Sequence, residues 1–182
     1  MYGEDREAFA VLMRRHAPSL LRFAQRLCGS PQQAEDVVQQ TFLNLWRTVV
    51  EMPGGQKRGD ASVRAWLFQL ARNAAYRSAR RHVGEPAHTE DLSQLGQRAG
   101  WGEDVDPERL AAALEDRQRL RAALETLPLD DQEVLWLRDV EGLDGDEAAL
   151  ALDMPLATMK TRLHRARLRL RAVLQEEVAH AR

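Results

Sequence analysis

Apolar residues recur at three- and four-residue spacing along most of this chain, in blocks cut off by Gly and Pro, and that period builds helices. In the first block Phe9, Leu12, Met13, Leu20, Leu21, Phe23, Ala24 and Leu27 hold the period until Cys28-Gly29-Ser30-Pro31 stops it. Ser30 is placed to cap the next helix, with Pro31 at its first position, where a missing N–H costs nothing. Val37, Val38, Thr41, Phe42, Leu45 and Trp46 then form an apolar stripe. "EMPGGQKRGDAS" interrupts it as a polar loop. A further helix is expected from about Ala61-Ser62, with Val63, Trp66, Leu67, Leu70, Ala71 and Ala74 on one face and arginines on the other. Ala, Leu, Arg, Glu and Gln abound and β-branched residues are few, so strands are not expected. Residues 1–83 are read as one helical domain.

Residues 84–106 hold several glycines and acids without a sustained period, and read as a flexible acidic linker. Trp101 is the odd residue there, and docks either on a partner or on the chain's own domains. From Pro107 the period returns with Leu110, Leu114, Leu120, Leu124 and Leu127, breaks at Pro128, and resumes with Val134, Leu135, Leu137 and Val140. Gly142 punctuates. A short helix from Glu147 to Leu152, a turn at Asp153-Met154-Pro155 and a basic helix make a helix-turn-helix. The predicted fold is all-α: two small helical domains, the second a helix-turn-helix domain at 107–182.

A chain of 182 residues with 44% hydrophobic and 30% charged residues is globular. Its single cysteine, Cys28, excludes an internal disulfide framework, and the opening "MYGEDREAF" is not an apolar signal, so a cytoplasmic location is expected. The formal net charge of −2 hides an uneven distribution. Five arginines and no acid lie between Ser62 and His82, nine acids face Arg98 and Arg109 from Val83 to Asp116, and six Lys/Arg crowd "TMKTRLHRARLRLR". Two basic faces flank an acidic middle, and a basic face is what nucleic-acid binding looks for.

On a helical wheel of that last segment Met159, Leu163, Ala166 and Leu170 share a narrow apolar sector. Lys160, Thr161, His164 and Arg165 cluster away from it, near the start of the helix, where a recognition helix meets base edges. Arg162, Arg167, Arg169 and Arg171 suit phosphate walls. Glu partners at i±4 are missing, which separates this face from an ordinary solvated helix. His164 has no second His or Cys at helical spacing, so no metal role is assigned.

"VRAWLFQLARNAAYRSARR" mixes cations with Trp66, Tyr76 and Asn73, the means by which single-stranded nucleic acid is tracked and stacked. Trp66 fits the core better than a stacking platform, Tyr76 fits both, and Arg80 with Arg81 also suits a helix C-terminus. The glycine-rich loop before it can clasp an unstacked base. In "AEDVVQQTFLNLW", Glu35, Asp36, Gln39, Gln40 and Asn44 line an apolar seam; capping and solvation account for the acids, and a protein-docking face is the sharper reading. No catalytic set and no phosphate-binding glycine loop is present, so no enzymatic activity, cofactor or small-molecule substrate is expected.

Taken together, "EAFAVLMRRHAPSLLRFAQRLCGSPQQAEDVVQQTFLNLWR", "WLFQLARN", and "LETLPLDDQEVLWLRDVEGL" followed by "EAALALDMPLATMKTRLHRARLRLR" resemble, in order and spacing, an extracytoplasmic-function sigma factor of the bacterial sigma-70 family. The resemblance implies a promoter-specificity subunit that joins core RNA polymerase, captures single-stranded −10 DNA with the first domain and reads double-stranded −35 DNA with the second. It implies a polymerase-binding surface at Asp36, Gln39, Gln40 and Asn44. It implies −10 contacts at Asn73, Tyr76, Arg77, Arg80 and Arg81, and −35 contacts at Arg138, Thr158, Lys160, Thr161, Arg162, His164, Arg165 and Arg167, Arg138 by way of the DNA backbone. It implies an anti-sigma partner, in this family often membrane-anchored, and a linker that threads into polymerase.

Four positions depart from the family pattern. Gln40 stands where an acid is usual and Arg77 where an Asp is common. Asp153 replaces the turn Gly, a position Asp tolerates because it enters the left-handed region readily. "DGDEAAL" replaces a Ser-aromatic-Glu-Glu opening and is expected to loosen its helix. The alternative is a sigma-like decoy that binds an anti-sigma factor without directing transcription; the retained cations of the last helix argue against it.

Overall fold

The computed structural model describes the backbone of residues 2–51, 60–81 and 107–180, and the side chains of 6–48, 63–78 and 116–175. Among these residues there are helices and turns and no strand. The loop at 52–59, the linker and Trp101 lie outside them.

Helix α1 spans Tyr2–Leu27, α2 Pro31–Glu51 and α3 Asp60–Arg81. The break between α1 and α2 follows the sequence signals. Ser30 Oγ accepts from the Gln33 amide at 3.2 Å, satisfying a donor that the helix start leaves unpaired, and the Gln33 side chain accepts from the Gly29 amide before the cap at 3.1 Å. Pro18 lies inside α1 and removes one backbone donor. The helix continues because Leu20, Phe23 and Ala24 just beyond it are fully buried.

The three helices pack on one another. Phe9 of α1 meets Phe42 edge-on at 6.2 Å and Trp46 at 4.9 Å, both on α2, and Phe23 meets Phe68 of α3 edge-on at 5.3 Å. Aromatic pairs in this geometry add about 0.5–1.5 kcal/mol beyond the area they bury. Thr41 is buried on the α2 stripe and returns its hydroxyl to the Val37 carbonyl at 2.7 Å, which satisfies its polar atom inside the core. Cys28 sits at the end of α1, and burial raises its thiol to about 11, so it stays protonated and unreactive at neutral pH.

Helix α4 covers Pro107–Glu125 and α5 Leu129–Leu135, separated by the expected break at Pro128. The sequence period continues past Leu135, yet the backbone widens into a π-helical turn over Trp136–Val140, closed by the Glu141 amide on the Trp136 carbonyl at 2.9 Å. Gly142, at φ 67°, takes the left-handed conformation that ends it. Helix α6 is Gly145–Ala151 and α7 is Leu156–His180.

The expected loosening of α6 is not what the structure contains. Asp144 caps it and forms a reciprocal capping box with Glu147, two bonds of 2.8 Å each. Ala148, Ala149 and Ala151 are buried, so the small side chains allow close approach rather than slack, and α6 packs on α3. It begins two residues earlier than its apolar pattern indicated, because Gly145 and Asp146 carry no period. At its other end Asp153 adopts φ 54°, with Asp153 and Met154 amides bonded to the Leu150 and Ala149 carbonyls at 3.1 and 3.0 Å. This is a Schellman turn with Asp in the glycine position, as the sequence led one to expect.

The contacts form two compact units, Met1–Thr89 with Trp136–Met159, and Glu90–Leu135 with Lys160–Arg182. They do not follow the sequence-based boundaries 1–83, 84–106 and 107–182. Within the first unit, beside the packing of α6 on α3, Glu141 ties the later segment to the early helices. Its side chain is 3% exposed, with Arg22 of α1 at 3.3 Å and Arg64 of α3 at 3.6 Å, and Arg64 also donates to its backbone carbonyl. A buried carboxylate without such partners would be costly, so the two arginines fix where it can lie. Arg26 adds a guanidinium 4.6 Å from the centre of the Trp136 ring.

Candidate nucleic-acid interface

Helix α7 buries Met159, Leu163 and Ala166 and half-buries Leu170, the sector the wheel selected. With that seam fixed, Thr158, Lys160, Thr161, His164, Arg165 and Arg167 are all exposed along the same helix. Lys160, His164 and Arg165 have no hydrogen-bond or ion-pair partner among the described residues. An exposed cation without an internal partner keeps its whole charge available to an approaching polyanion.

Arg162 and Arg169 behave differently. Arg162 Nη1 lies 2.7 Å from Asp130 Oδ2, and Arg169 pairs with Asp131, a residue only 4% exposed. Both acids belong to the first turn of α5. A search for partners at i±4 on one helix cannot find them, so the reading of this basic face as unpaired is corrected. Arg138 belongs not to α7 but to the π-helical turn. It is half-buried, its Nη1 donates to the Leu143 carbonyl, and its Nε is buried without a hydrogen-bond partner.

On α3, Asn73 and Tyr76 are half-buried and Arg77 is exposed; the side chains of Arg80 and Arg81 lie outside the described residues. Arg72 holds its guanidinium 4.8 Å from the centre of the Tyr76 ring, so one face of this aromatic already carries a cation. Trp66 is half-buried, while Leu67, Ala71 and Ala74 are buried, and it sits at the edge of the core rather than wholly in it.

The outer face of α2 brings Asp36, Gln39 and Gln40 together as exposed side chains, with Asn44 half-buried and accepting from the Gln40 amide at 2.9 Å. Leu43 lies on this face too and is 44% exposed. The sequence reading missed it, although its position off the stripe of Val37, Thr41, Phe42 and Leu45 was the available signal. An exposed Leu between amides gives a polar docking face an apolar centre.

Comparison with known proteins gives this arrangement a family. Residues 12–84 match the model for sigma-70 region 2, and residues 117–170 match that for sigma-70, region 4. The ECF RNA polymerase sigma factor SigL of Mycobacterium tuberculosis is 36% identical over 173 residues, spanning 93% of this chain and 92% of the relative. The chain belongs to the sigma-70 family, in its extracytoplasmic-function class. SigE of Mycolicibacterium smegmatis is 32% identical over 165 residues, and the chain spans 60% of that relative's length. Two solved structures share the fold. One, CnrH in complex with the cytosolic domain of CnrY, has a TM-score of 0.64 at 23% identity over 94% of this chain and 90% of that one. The other, the sigma factor RpoE in complex with the anti-sigma factor NepR from Bartonella quintana, has 0.62 at 24% identity over 93% and 98%.

In this sigma factor the region 4 match takes in Asp130, Asp131 and α7 as far as Leu170, and the region 2 match covers α2, α3 and α1 from Leu12 onward. The three surfaces described above therefore all fall inside matched segments. Among the described residues no group of three or more His, Cys, Asp or Glu could hold a metal ion, and no helix is long and apolar enough to cross a membrane.

Proposed function

We infer that this sigma factor docks on core RNA polymerase through Asp36, Gln39, Gln40, Leu43 and Asn44 of α2, and engages promoter DNA through α3 at the −10 element and α7 at the −35 element. The observation that carries the reading is the row Thr158, Lys160, Thr161, His164 and Arg165, exposed along one helix that follows a tight turn, with the cations among them lacking internal partners. Direct readout in a major groove needs such side chains near the start of a helix whose other face is anchored, and Met159, Leu163 and Ala166 supply the anchor. The reading keeps 1–83 and 107–182 as the two functional domains, supported by the extents of the two family matches.

The solved Bartonella complex pairs the sigma factor RpoE with the anti-sigma factor NepR, and CnrH was solved with the cytosolic domain of CnrY. By this likeness an anti-sigma factor is the expected regulator here, and the cytoplasm, where polymerase works, the expected location. The chain then acts as a transcription initiation factor and not as an enzyme.

The α7 assignment is tested by base preference. In holoenzyme, Arg165→Ala is expected to relax selectivity at one −35 position by about 1–3 kcal/mol, as the loss of a base-edge contact does. Binding competition among duplexes substituted singly across the −35 block measures it. Uniform weakening with unchanged selectivity would assign Arg165 to phosphate instead.

A further inference from the structure

Among the six cations in 158–171, Arg162 and Arg169 pair with acids of α5, and both lie on one flank of α7. Residues seven apart on a helix lie within about 20° of each other, so Arg162 and Arg169 form one row. Lys160 and Arg167 form another, with Arg171 four residues further on beside it. The first row faces Asp130 and Asp131 of α5. In the second, Lys160 and Arg171 are exposed and have no partner among the described residues.

We propose that Asp130 and Asp131 withhold Arg162 and Arg169 from DNA, and that Asp130 thereby sets affinity and salt sensitivity at the −35 element. Phosphate binding gains from counterion release, which scales with the positive charge placed against the backbone. A guanidinium 2.7 Å from a carboxylate carries no net charge to that surface, so it releases none. Arg169 is more firmly committed, since its partner is buried and would be left unpaired by its departure. The Asp130 pair is half-exposed at both ends, which makes it the adjustable member of the two.

The consequence is a chain whose most basic segment is deliberately weaker on DNA than its six cations imply. Specificity benefits, because a phosphate contact raises affinity for every sequence alike while base contacts act only on the right one. The inference rests on the assignment of α7 to the −35 element.

The test uses holoenzyme made with the full-length chain and two duplexes, one a promoter selected by the wild type and one with its −35 block scrambled, titrated over a series of salt concentrations. Asp130→Asn is expected to steepen the slope of log K against log salt by about 0.9 on both duplexes and to tighten binding about fourfold at 0.2 M salt, the gain of one phosphate contact. Adding Arg162→Gln to Asp130→Asn is expected to return the slope to the wild-type value. An unchanged or shallower slope for Asp130→Asn overturns the proposal, and so does a double variant that keeps the gain, since the effect would then come from the carboxylate alone. An unaltered melting midpoint for Asp130→Asn shows that the fold is intact. If wild-type holoenzyme binds both duplexes equally, the −35 assignment itself fails, a result distinct from any behaviour of Asp130.

Discussion

Phe68→Ala is expected to cost the first helical unit about 3–5 kcal/mol, the usual loss for emptying a buried aromatic site. Phe68 is 2% exposed and meets Phe23 of α1 edge-on, so truncation removes contacts on both sides of the α1–α3 packing. Collapse of the surroundings would soften the loss, yet the neighbours are themselves fully buried: Leu20, Phe23, Leu67 and Ala71 are at 1% exposure or less. A small domain is stable by about 5–15 kcal/mol, so this one change takes a large share. Urea unfolding followed by circular dichroism measures it. The midpoint should fall sharply with little change in slope, and Leu43→Ala, on the exposed face of α2, should shift it by no more than about 0.5 kcal/mol. If the two variants unfold alike, the core has been misplaced.

Arg169→Ala is expected to act on stability before it acts on DNA. Its position on the wheel suits a phosphate contact, and on that reading its loss weakens binding evenly and flattens the salt dependence. The ion pair with Asp131 changes the expectation, because removing the guanidinium leaves a buried carboxylate without its cation. Breaking a fully buried pair costs about 3–5 kcal/mol; Arg169 is 53% exposed, so solvent relieves part of this and a loss of about 1–3 kcal/mol is expected. The diagnostic is the second substitution. Arg169→Ala with Asp131→Leu should recover most of the loss, since no buried charge then remains. Thermal melts of the single and double variants decide it, and a double variant less stable than Arg169→Ala alone would show that Asp131 has other partners that matter more.

These two residues mark where sequence reasoning works and where it stops. The seams Phe23–Ala24 and Leu67–Ala71, the Ser30 cap and the left-handed Asp153 follow from rules that span one turn of helix, and all are found as the pattern implies. The seam of α7 is equally local, which is why its exposed row could be chosen on a wheel. What was hidden joins residues far apart in sequence. Arg22 meets Glu141 across 119 positions and Arg169 meets Asp131 across 38, and no periodicity announces either. The π-helical turn at Trp136–Val140 was hidden for another reason: its residues are as helix-compatible as their neighbours, and the Glu141 pairing and Gly142 beyond it accompany the widened turn. Alanine misled in α6, where low bulk reads as weak packing in a list of residues but permits close contact with α3 in the fold.

The most direct test of the account is open-complex formation. Core polymerase is mixed with the full-length chain and with promoter fragments pooled from a bacterial genome, and strand opening is mapped by permanganate reactivity of unpaired thymines. The account predicts opening near −10 on a subset of fragments sharing a −35 block, lost when Lys160 and Arg165 are both replaced by Ala. Binding of an anti-sigma factor with no opened fragment under any condition would contradict it.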